Sequence, residues 1–573
     1  MLTRAEWIGR DMVALAALVA EGEVTPRELL ETAIREIEAQ NPRVNAVVVT
    51  QFEEALTACD AAVDRPRFLG VPYLIKDLHA PVKGLPLSNG SERFRGTVFG
   101  FDSTLVARLR TAGFGILGRS ASAEFGLSLE TDSAAWGTTR NPWNKKLGAG
   151  GSSGGAGAAV ASGMMPAAHA TDSAGSIRIP AAYNGLVGLK PSRALNPFGP
   201  HRGDPNQGIS HEHAVTVSVR DSAALLDVTA GPDVGAPYFT PRPTEAFETL
   251  ITRPPEKLRI GLVTTQFDGA PVDAVCAEAA ALTGLLLADL GHEVEEAMPD
   301  FDVQSLTDAM IRVLLASLAG LFPGAGDLDD ADLSGLEPIT RTALRYARTV
   351  SLSDHFQRTA VINREVRRLA AYFDRFDLLI TPATATPALP HKSLPMTSTD
   401  LDVFLDKLFA FSPFLAPFNA SGMPAIVLPV HQTPEGLPVA AQLVGPLADD
   451  ALVMRAARQV EDLADQIEAD FAAAPPPAFI VFHDAYQYFE DAFDISAQGA
   501  ISLSDASAPS AARLSEIRTI VAEQGVECLS AVADAAPVSI AVIDPYGGHI
   551  PTGVDFYPAL LQDLATGISG CKG

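Results

Sequence analysis

Gly148-Ala149-Gly150-Gly151-Ser152-Ser153-Gly154-Gly155-Ala156-Gly157 is the stretch on which the reading of this chain turns. It opens directly into the small-residue run 158–161. A flexible linker has this composition, but a linker does not run straight into residues suited to a tightly packed helix. A phosphate loop also clusters glycines, but no lysine follows in the Walker A position and no Rossmann glycine spacing follows a clear strand. A third reading is a backbone freed by glycine to adopt conformations closed to other residues, placing serine hydroxyls where a substrate approaches.

Downstream lies Ala170-Thr171-Asp172-Ser173-Ala174-Gly175-Ser176-Ile177-Arg178-Ile179-Pro180. Small residues lead to a lone Ser176. Consecutive backbone N–H groups at Ser173, Ala174, Gly175 and Ser176 are able to converge on an oxyanion, the device that stabilises acyl-transfer transition states. A serine nucleophile needs a base. His169 is near in sequence, but no ordered His/Asp constellation surrounds it, and no Gly-x-Ser-x-Gly with a following strand–helix signature occurs around Ser176. Lys76 is the alternative. It ends the apolar run 70–75, where burial lowers an ammonium pKa and makes a neutral amine available.

Outward from these segments, strand-like and helix-like patterns alternate. Thr25-Pro26-Arg27-Glu28 predicts a helix start with a capping box and proline at the first helical position. Leu29, Leu30, Ala33, Ile34 and Ile37 then fall on one face. Strands are expected at 45–50, 70–77, 116–118, 258–263, 378–381 and 425–429, with helices at 275–290, 339–349 and 451–464. This alternation argues an α/β chain with a mixed or parallel sheet covered by helices. The length of 573 residues suits one large α/β domain with an appendage. A net charge of −27 weighs against nucleic acid and anionic membranes as partners. No stretch of about 20 apolar residues suggests a membrane span. The run 12–20 sits between acids and reads as an amphipathic helix instead of a signal peptide. Four scattered cysteines do not make a disulfide scaffold, and the expected location is cytoplasmic.

Taken together, Gly70-Val71-Pro72-Tyr73-Leu74-Ile75-Lys76-Asp77, Gly150 to Gly155, Thr171 to Ala182 and Gly185-Leu186-Val187-Gly188-Leu189-Lys190-Pro191 resemble the amidase signature family. Asn419 to Ala425 and Gly436 to Gly445 continue the match, which spans about residues 5–470. The resemblance implies the amidase-signature fold, a mixed central sheet with helices on both faces. It also implies an amide hydrolase with a Ser–cisSer–Lys triad: Ser176 as nucleophile, Ser152 as the bridging serine in a cis peptide and Lys76 as general base. The oxyanion hole would be the backbone of Ser173, Ala174, Gly175 and Ser176. No cofactor or metal is implied, the partner is a small-molecule amide, and a homodimer is compatible. Two departures stand out. Ala174 replaces a glycine common in the family, and Asn184 takes a position often held by cysteine. Neither removes a triad member. Asp172 and Arg178 are expected to order the loop, Ser153 likewise, and Asp77 to orient the segment after Lys76. His79, His169, His201, His211 and His213 show no metal spacing.

Within the family, 131–144 and the Ser-Ala-Gly-Ser nucleophile loop look most like the 6-aminohexanoate cyclic-dimer hydrolases, which open nylon-oligomer lactams. Residues 302–321 and 401–417 are expected to line the pocket. Phe404, Leu408, Phe409, Phe411, Phe414 and Phe418 would suit an apolar group, or else serve as core. The A subunit of glutamyl-tRNA amidotransferase shares the signature, but the acidity weighs against handling tRNA.

A boundary is expected at the proline run 472–477, dividing an amidase domain (1–471) from a lobe at 478–573. That lobe carries twelve acidic residues against three basic ones. Val481-Phe482-His483-Asp484, Arg513-Leu514-Ser515-Glu516-Ile517-Arg518 and Ala541-Val542-Ile543-Asp544-Pro545-Tyr546-Gly547 resemble the C-terminal lobe of zinc-uptake solute-binding proteins. The resemblance maps zinc ligands to His483 and Asp544, and a disulfide in relatives to Cys528 and Cys571. The lobe that supplies the other ligands is missing, and two ligands are too few for the usual four-coordinate site. The expectation is a small fused α/β half-module. A zinc-homeostasis protein on a vestigial amidase scaffold is the alternative reading of the chain.

Overall fold

A computed structural model describes residues 2–322 and 333–473 and four short strands beyond them, with side chains described up to residue 463. In chain order the strands are β1 (Val47–Thr50), β2 (Pro72–Lys76), β3 (Gly115–Ser120), β4 (Asp132–Ser133), β5 (Gly137–Thr138), β6 (Ala167–Asp172), β7 (Val187–Lys190), β8 (His211–Thr216), β9 (Arg259–Leu262), β10 (Glu293–Glu296), β11 (Leu378–Pro382), β12 (Ala425–Gln432) and β13 (Pro438–Val444). Eleven of them form one mixed sheet in the order β1-β3-β2-β6-β8-β7-β12-β13-β11-β9-β10. β4 and β5 make a separate hairpin within the segment 131–144. A mixed central sheet flanked by helices is the fold class expected above.

The sheet is buried on both faces, and side-chain alternation along β12 shows it. Val427 packs into one hydrophobic cluster with Leu74, Leu29, Leu30 and Ile37. Its neighbours Ile426 and Leu428 pack into another, with Leu189, Leu287, Val453 and Val460. Successive strand residues point to opposite faces, so at β12 these two clusters lie on opposite sides of the sheet. The helix Pro26–Val44 supplies the first group of leucines. Its start has the predicted capping box between Thr25 and Glu28. The helices Ala274–Asp289 and Asp450–Ala473 supply the second group. Met12–Glu21 is the helix expected from the apolar run 12–20.

Register positions the chemistry. β2 and β6 are parallel neighbours paired at Leu74↔Ala168. Their carboxyl ends therefore lie side by side, which puts Lys76 beside Thr171. Crevices at the carboxyl ends of strands are where open α/β sheets bind ligands.

The helix Gly154–Ala161 is buried from Gly154 through Val160. A Cβ on Gly155 would lie 2.2 Å from the Ala121 backbone nitrogen. The glycines thus serve close backbone approach and not linker flexibility. The last helix continues to Ala473, so it includes the first two residues of the 472–477 boundary segment. Beyond it, Phe479–His483, Ala500–Ser502, Cys528–Ser530 and Ser539–Ala541 pair as a four-stranded sheet, parallel wherever registered. His483 ends the first of these strands and Cys528 begins the third. Asp544 and Cys571 lie outside the described residues. No described helix is long and apolar enough to cross a membrane.

Candidate active site

Lys76 is fully buried at the end of β2. Its Nζ lies 2.8 Å from Ser152 Oγ and 2.8 Å from Thr171 Oγ1. Burial pushes the Lys76 amine well below the usual lysine range, against the opposing pull of Asp172 and Glu212. A lysine lowered in this way can present a neutral amine, the form whose lone pair could accept the Ser152 proton.

Ser152 follows a cis peptide bond from Gly151. Thr131 fastens this loop. Its Oγ1 donates toward the Gly150 carbonyl at 3.0 Å and accepts from the Gly154 N–H at 2.9 Å. Ser153 exchanges hydrogen bonds with the Thr171 backbone. Ser153 therefore orders the loop, in keeping with its expected role.

Ser176 stands between β6 and the helix Arg178–Asn184. Its hydroxyl makes no hydrogen bond to another described residue. It lines the same cavity as Ser152. The structure therefore joins Lys76 to Ser152 directly and brings Ser176 to the same chamber without a serine–serine hydrogen bond.

The loop around Ser176 is built on Asp172, buried and paired with Arg178 at 2.9 Å. The Asp172 carboxylate also accepts from the N–H groups of Gly175 (2.7 Å) and Ile177 (3.2 Å) and from Asn419 Nδ2 (2.9 Å). Burial raises the Asp172 pKa, but the Arg178 charge and hydrogen bonds and the Asn419 amide more than reverse this, holding it well below the usual carboxylate range. Arg178 in turn donates to Gln442 Oε1 (2.8 Å), Asn419 Oδ1 (2.6 Å) and the Leu415 carbonyl (3.1 Å). Both residues thus support the loop.

One expectation needs correction. The Gly175 N–H is held by Asp172, so it does not face the cavity as an oxyanion donor. The N–H groups of Ser173, Ala174 and Ser176 have no such acceptor among the described residues. Gly175 itself has φ +120°, and a Cβ there would meet Leu415 Cδ1 at 2.5 Å. The loop needs glycine at this position.

Asp77 is buried and accepts from the Ser88 N–H at 2.7 Å and Trp136 Nε1 at 2.8 Å, so it orients the segment after Lys76. His169 Nδ1 accepts from the Lys76 N–H at 3.3 Å, and its Nε2 lies 3.8 Å from Glu212. It touches neither serine hydroxyl. Asn184 Nδ2 donates to the carbonyls of Ala149 and Pro180, tying the glycine loop to the following helix. Among the described residues no group of three or more His, Cys, Asp or Glu side chains is arranged to hold a metal ion.

The cavity measures about 330 Å³. Ile311, Leu315 and Leu318 line it from one expected segment, and Phe404, Leu405 and Leu408 from the other. Phe414 and Phe418 do not reach it. They stack edge-on against Phe267 in a separate core cluster, while Phe409 and Phe411 also lie off the wall. The sequence reading missed Phe125 and Leu127, the loop residues Arg202 and Asp204, and Thr171 as a partner of Lys76. A signal for the loop was present: the Gly/Pro-dense stretch Gly199-Pro200-His201-Arg202-Gly203-Asp204-Pro205 joins β7 to β8, and such loops on a rigid sheet commonly carry function.

Comparison with known proteins agrees with this geometry. The family model described as Amidase matches residues 28–454. A model described as zinc-uptake complex component A, periplasmic, matches residues 453–558. A 6-aminohexanoate-cyclic-dimer hydrolase from Paenarthrobacter ureafaciens is 35% identical over 476 residues, covering 79% of this chain and 94% of that protein. A solved structure of 6-aminohexanoate cyclic dimer hydrolase superposes with a TM-score of 0.75 at 33% identity, over 80% of this chain and 97% of that one. A bacterial aryl acylamidase of the amidase signature family superposes with a TM-score of 0.71 at 26% identity, over 80% and 96%.

Proposed function

The chain belongs to the amidase family and is an amide-hydrolysing enzyme, and from that premise we propose that it works through a Ser176–Ser152–Lys76 relay and an acyl-enzyme. The observation that carries the reading is the buried Lys76 amine 2.8 Å from Ser152 Oγ at the floor of a cavity that Ser176 also lines. Neutral Lys76 takes the Ser152 proton as Ser152 takes that of Ser176. Ser176 Oγ attacks the amide carbonyl, and the free N–H groups of Ser173, Ala174 and Ser176 face the developing oxyanion. The relay returns a proton to the leaving amine. Water then enters by the same relay and releases the acid.

The substrate class is small linear or cyclic amides with apolar chains. The leucine-rich wall supports this, as do relatives named for 6-aminohexanoate cyclic dimer. The cysteines Cys59 and Cys276 are free, in keeping with a reducing cytoplasm. Two unrelated family matches that abut at residues 453–454 support a fused arrangement, amidase first and a partial zinc-uptake-like lobe after it. The zinc-homeostasis alternative is not favoured, since that match covers only 453–558.

The test is intact-protein mass after treatment with a serine-directed phosphonyl fluoride. One adduct is expected on the wild type and none on Ser176→Ala. An amide panel including the cyclic dimer follows. Absence of an adduct on folded wild type, together with no turnover, sinks the relay.

A further inference from the structure

Arg202 is a cavity-wall residue that the relay leaves unused. It sits half-buried in the loop between β7 and β8. Its Nη1 donates to His79 Nδ1 at 3.0 Å. Arginine has only donors, so His79 accepts there. Burial, and then the Arg202 charge, keep the His79 ring neutral. No carboxylate lies within ion-pair distance of Arg202 among the described residues. Glu212 acts on Arg202 only beyond contact range and lies 3.8 Å from His169, and the Asp204 carboxylate accepts from the Tyr238 hydroxyl.

The other arginines buried nearby differ. Arg178 is spent on Asp172, Asn419 and Gln442. Arg119 is enclosed in the core and donates through Nε and Nη1 to the carbonyls of Pro86, Lys76 and Ala80, away from the cavity wall. Arg202 has five donor hydrogens and directs one of them at a neutral ring. A cation partly withdrawn from water with no carboxylate in contact is unfavourable unless a ligand supplies one. Apolar residues that line the same cavity, Leu78, Phe125 and Leu314 among them, would receive a polymethylene chain.

Resting on the amidase reading, we propose that Arg202 is the counter-ion for a carboxylate on the substrate. The preferred amides are then linear and acid-bearing, such as amide-linked ω-amino acids, ahead of neutral lactams. Opening a cyclic oligoamide generates such a carboxylate, so a ring-opening hydrolase is the class of reaction that would supply this substrate.

Two substrate pairs test this. 6-Acetamidohexanoate against 6-acetamidohexan-1-ol places the acid on the leaving side. N-Butyladipamate against N-butylhexanamide places it on the acyl side. In at least one pair the wild type should favour the acid in kcat/KM by about tenfold to a hundredfold, chiefly through KM, as a charge-assisted hydrogen bond provides. Arg202→Met should bring that ratio to near one, and Arg202→Lys should keep part of it. The ratio is taken within one preparation, so a partly unfolded variant does not distort it. Calorimetric titration of hexanoate reads the site without turnover, and binding should vanish in Arg202→Met. No preference in either wild-type pair, or a preference that survives in Arg202→Met, overturns the proposal. Arg202-dependent hexanoate binding with no hydrolysis of any amide would keep the anion site and overturn the relay.

Discussion

Replacing Asp172 by Asn tests the architecture beneath Ser176, the proposed nucleophile. The change keeps volume and removes one buried charge. Arg178 then stays buried without its ion pair, and the Gly175 and Ile177 N–H groups compete for one amide oxygen. Breaking a buried pair from one side costs about 3–5 kcal/mol. For a unit the size of residues 28–454, unfolding entropy of about 2.1 cal/mol/K per residue gives on the order of 0.9 kcal/mol per degree. The melting temperature should therefore fall by about 3–5 °C. Calorimetry reads that shift, and phosphonylation kinetics read the loop. The rate at Ser176 should fall more steeply than stability does, because the loop loses its anchor while the sheet survives. The double variant Asp172→Asn/Arg178→Met should recover part of the melting temperature, since it no longer strands a charge. A shift below 1 °C with phosphonylation unchanged would refute the claim that this pair holds the nucleophile.

Lys76→Met should abolish phosphonylation yet raise stability at neutral pH. The folded-state lysine pKa is depressed by burial, so the unfolded chain binds a proton that the native one lacks. That penalty grows as pH falls below the unfolded value of about 10.4, and thermal scans should show the variant's advantage larger at pH 7 than at pH 9. Activity of the wild type should fall on the acid side as the amine protonates. Asp289 works in the opposite sense. Its two carboxylate oxygens have no hydrogen-bond partner among the described residues, and burial pushes its pKa up to about 8. Native protein holds a proton there that the unfolded chain releases near pH 4, so stability is lost as pH rises toward 8. Asp289→Leu should raise the melting temperature, more at pH 8 than at pH 5, and an equal shift at both would disprove the account.

Local chemistry was legible where neighbours in sequence decide it. The capping box at Thr25 and Glu28 needs only four residues, and β2, β9, β11 and β12 announced themselves as apolar runs. β10 did not, because Glu293-Val294-Glu295-Glu296 is a largely exposed edge strand with a single apolar residue. β8 was hidden too. His211-Glu212-His213 reads as polar, and only the surrounding layers bury it. The motif residues of the site were visible because glycines and serines cluster in few other contexts. Their partners were not. Nothing local to Asn419 or Gln442 says that they hold Arg178. The phenylalanines of 401–417 looked alike in sequence, and only helix phase sends Phe404 to the cavity and leaves Phe409 off its wall.

The reach of Arg178 has a temporal side. Gln442 lies 264 positions further along the chain, and Asn419 lies 241 positions further. A ribosome that has delivered Lys76, Ser152 and Ser176 has still to deliver the residues that brace them. The nascent chain therefore carries the proposed relay residues for nearly half of its synthesis with their scaffold unfinished, and contacts of such long separation close slowly. A chain released before Gln442 is made therefore keeps Lys76, Ser152 and Ser176 while Arg178 lacks one of its acceptors.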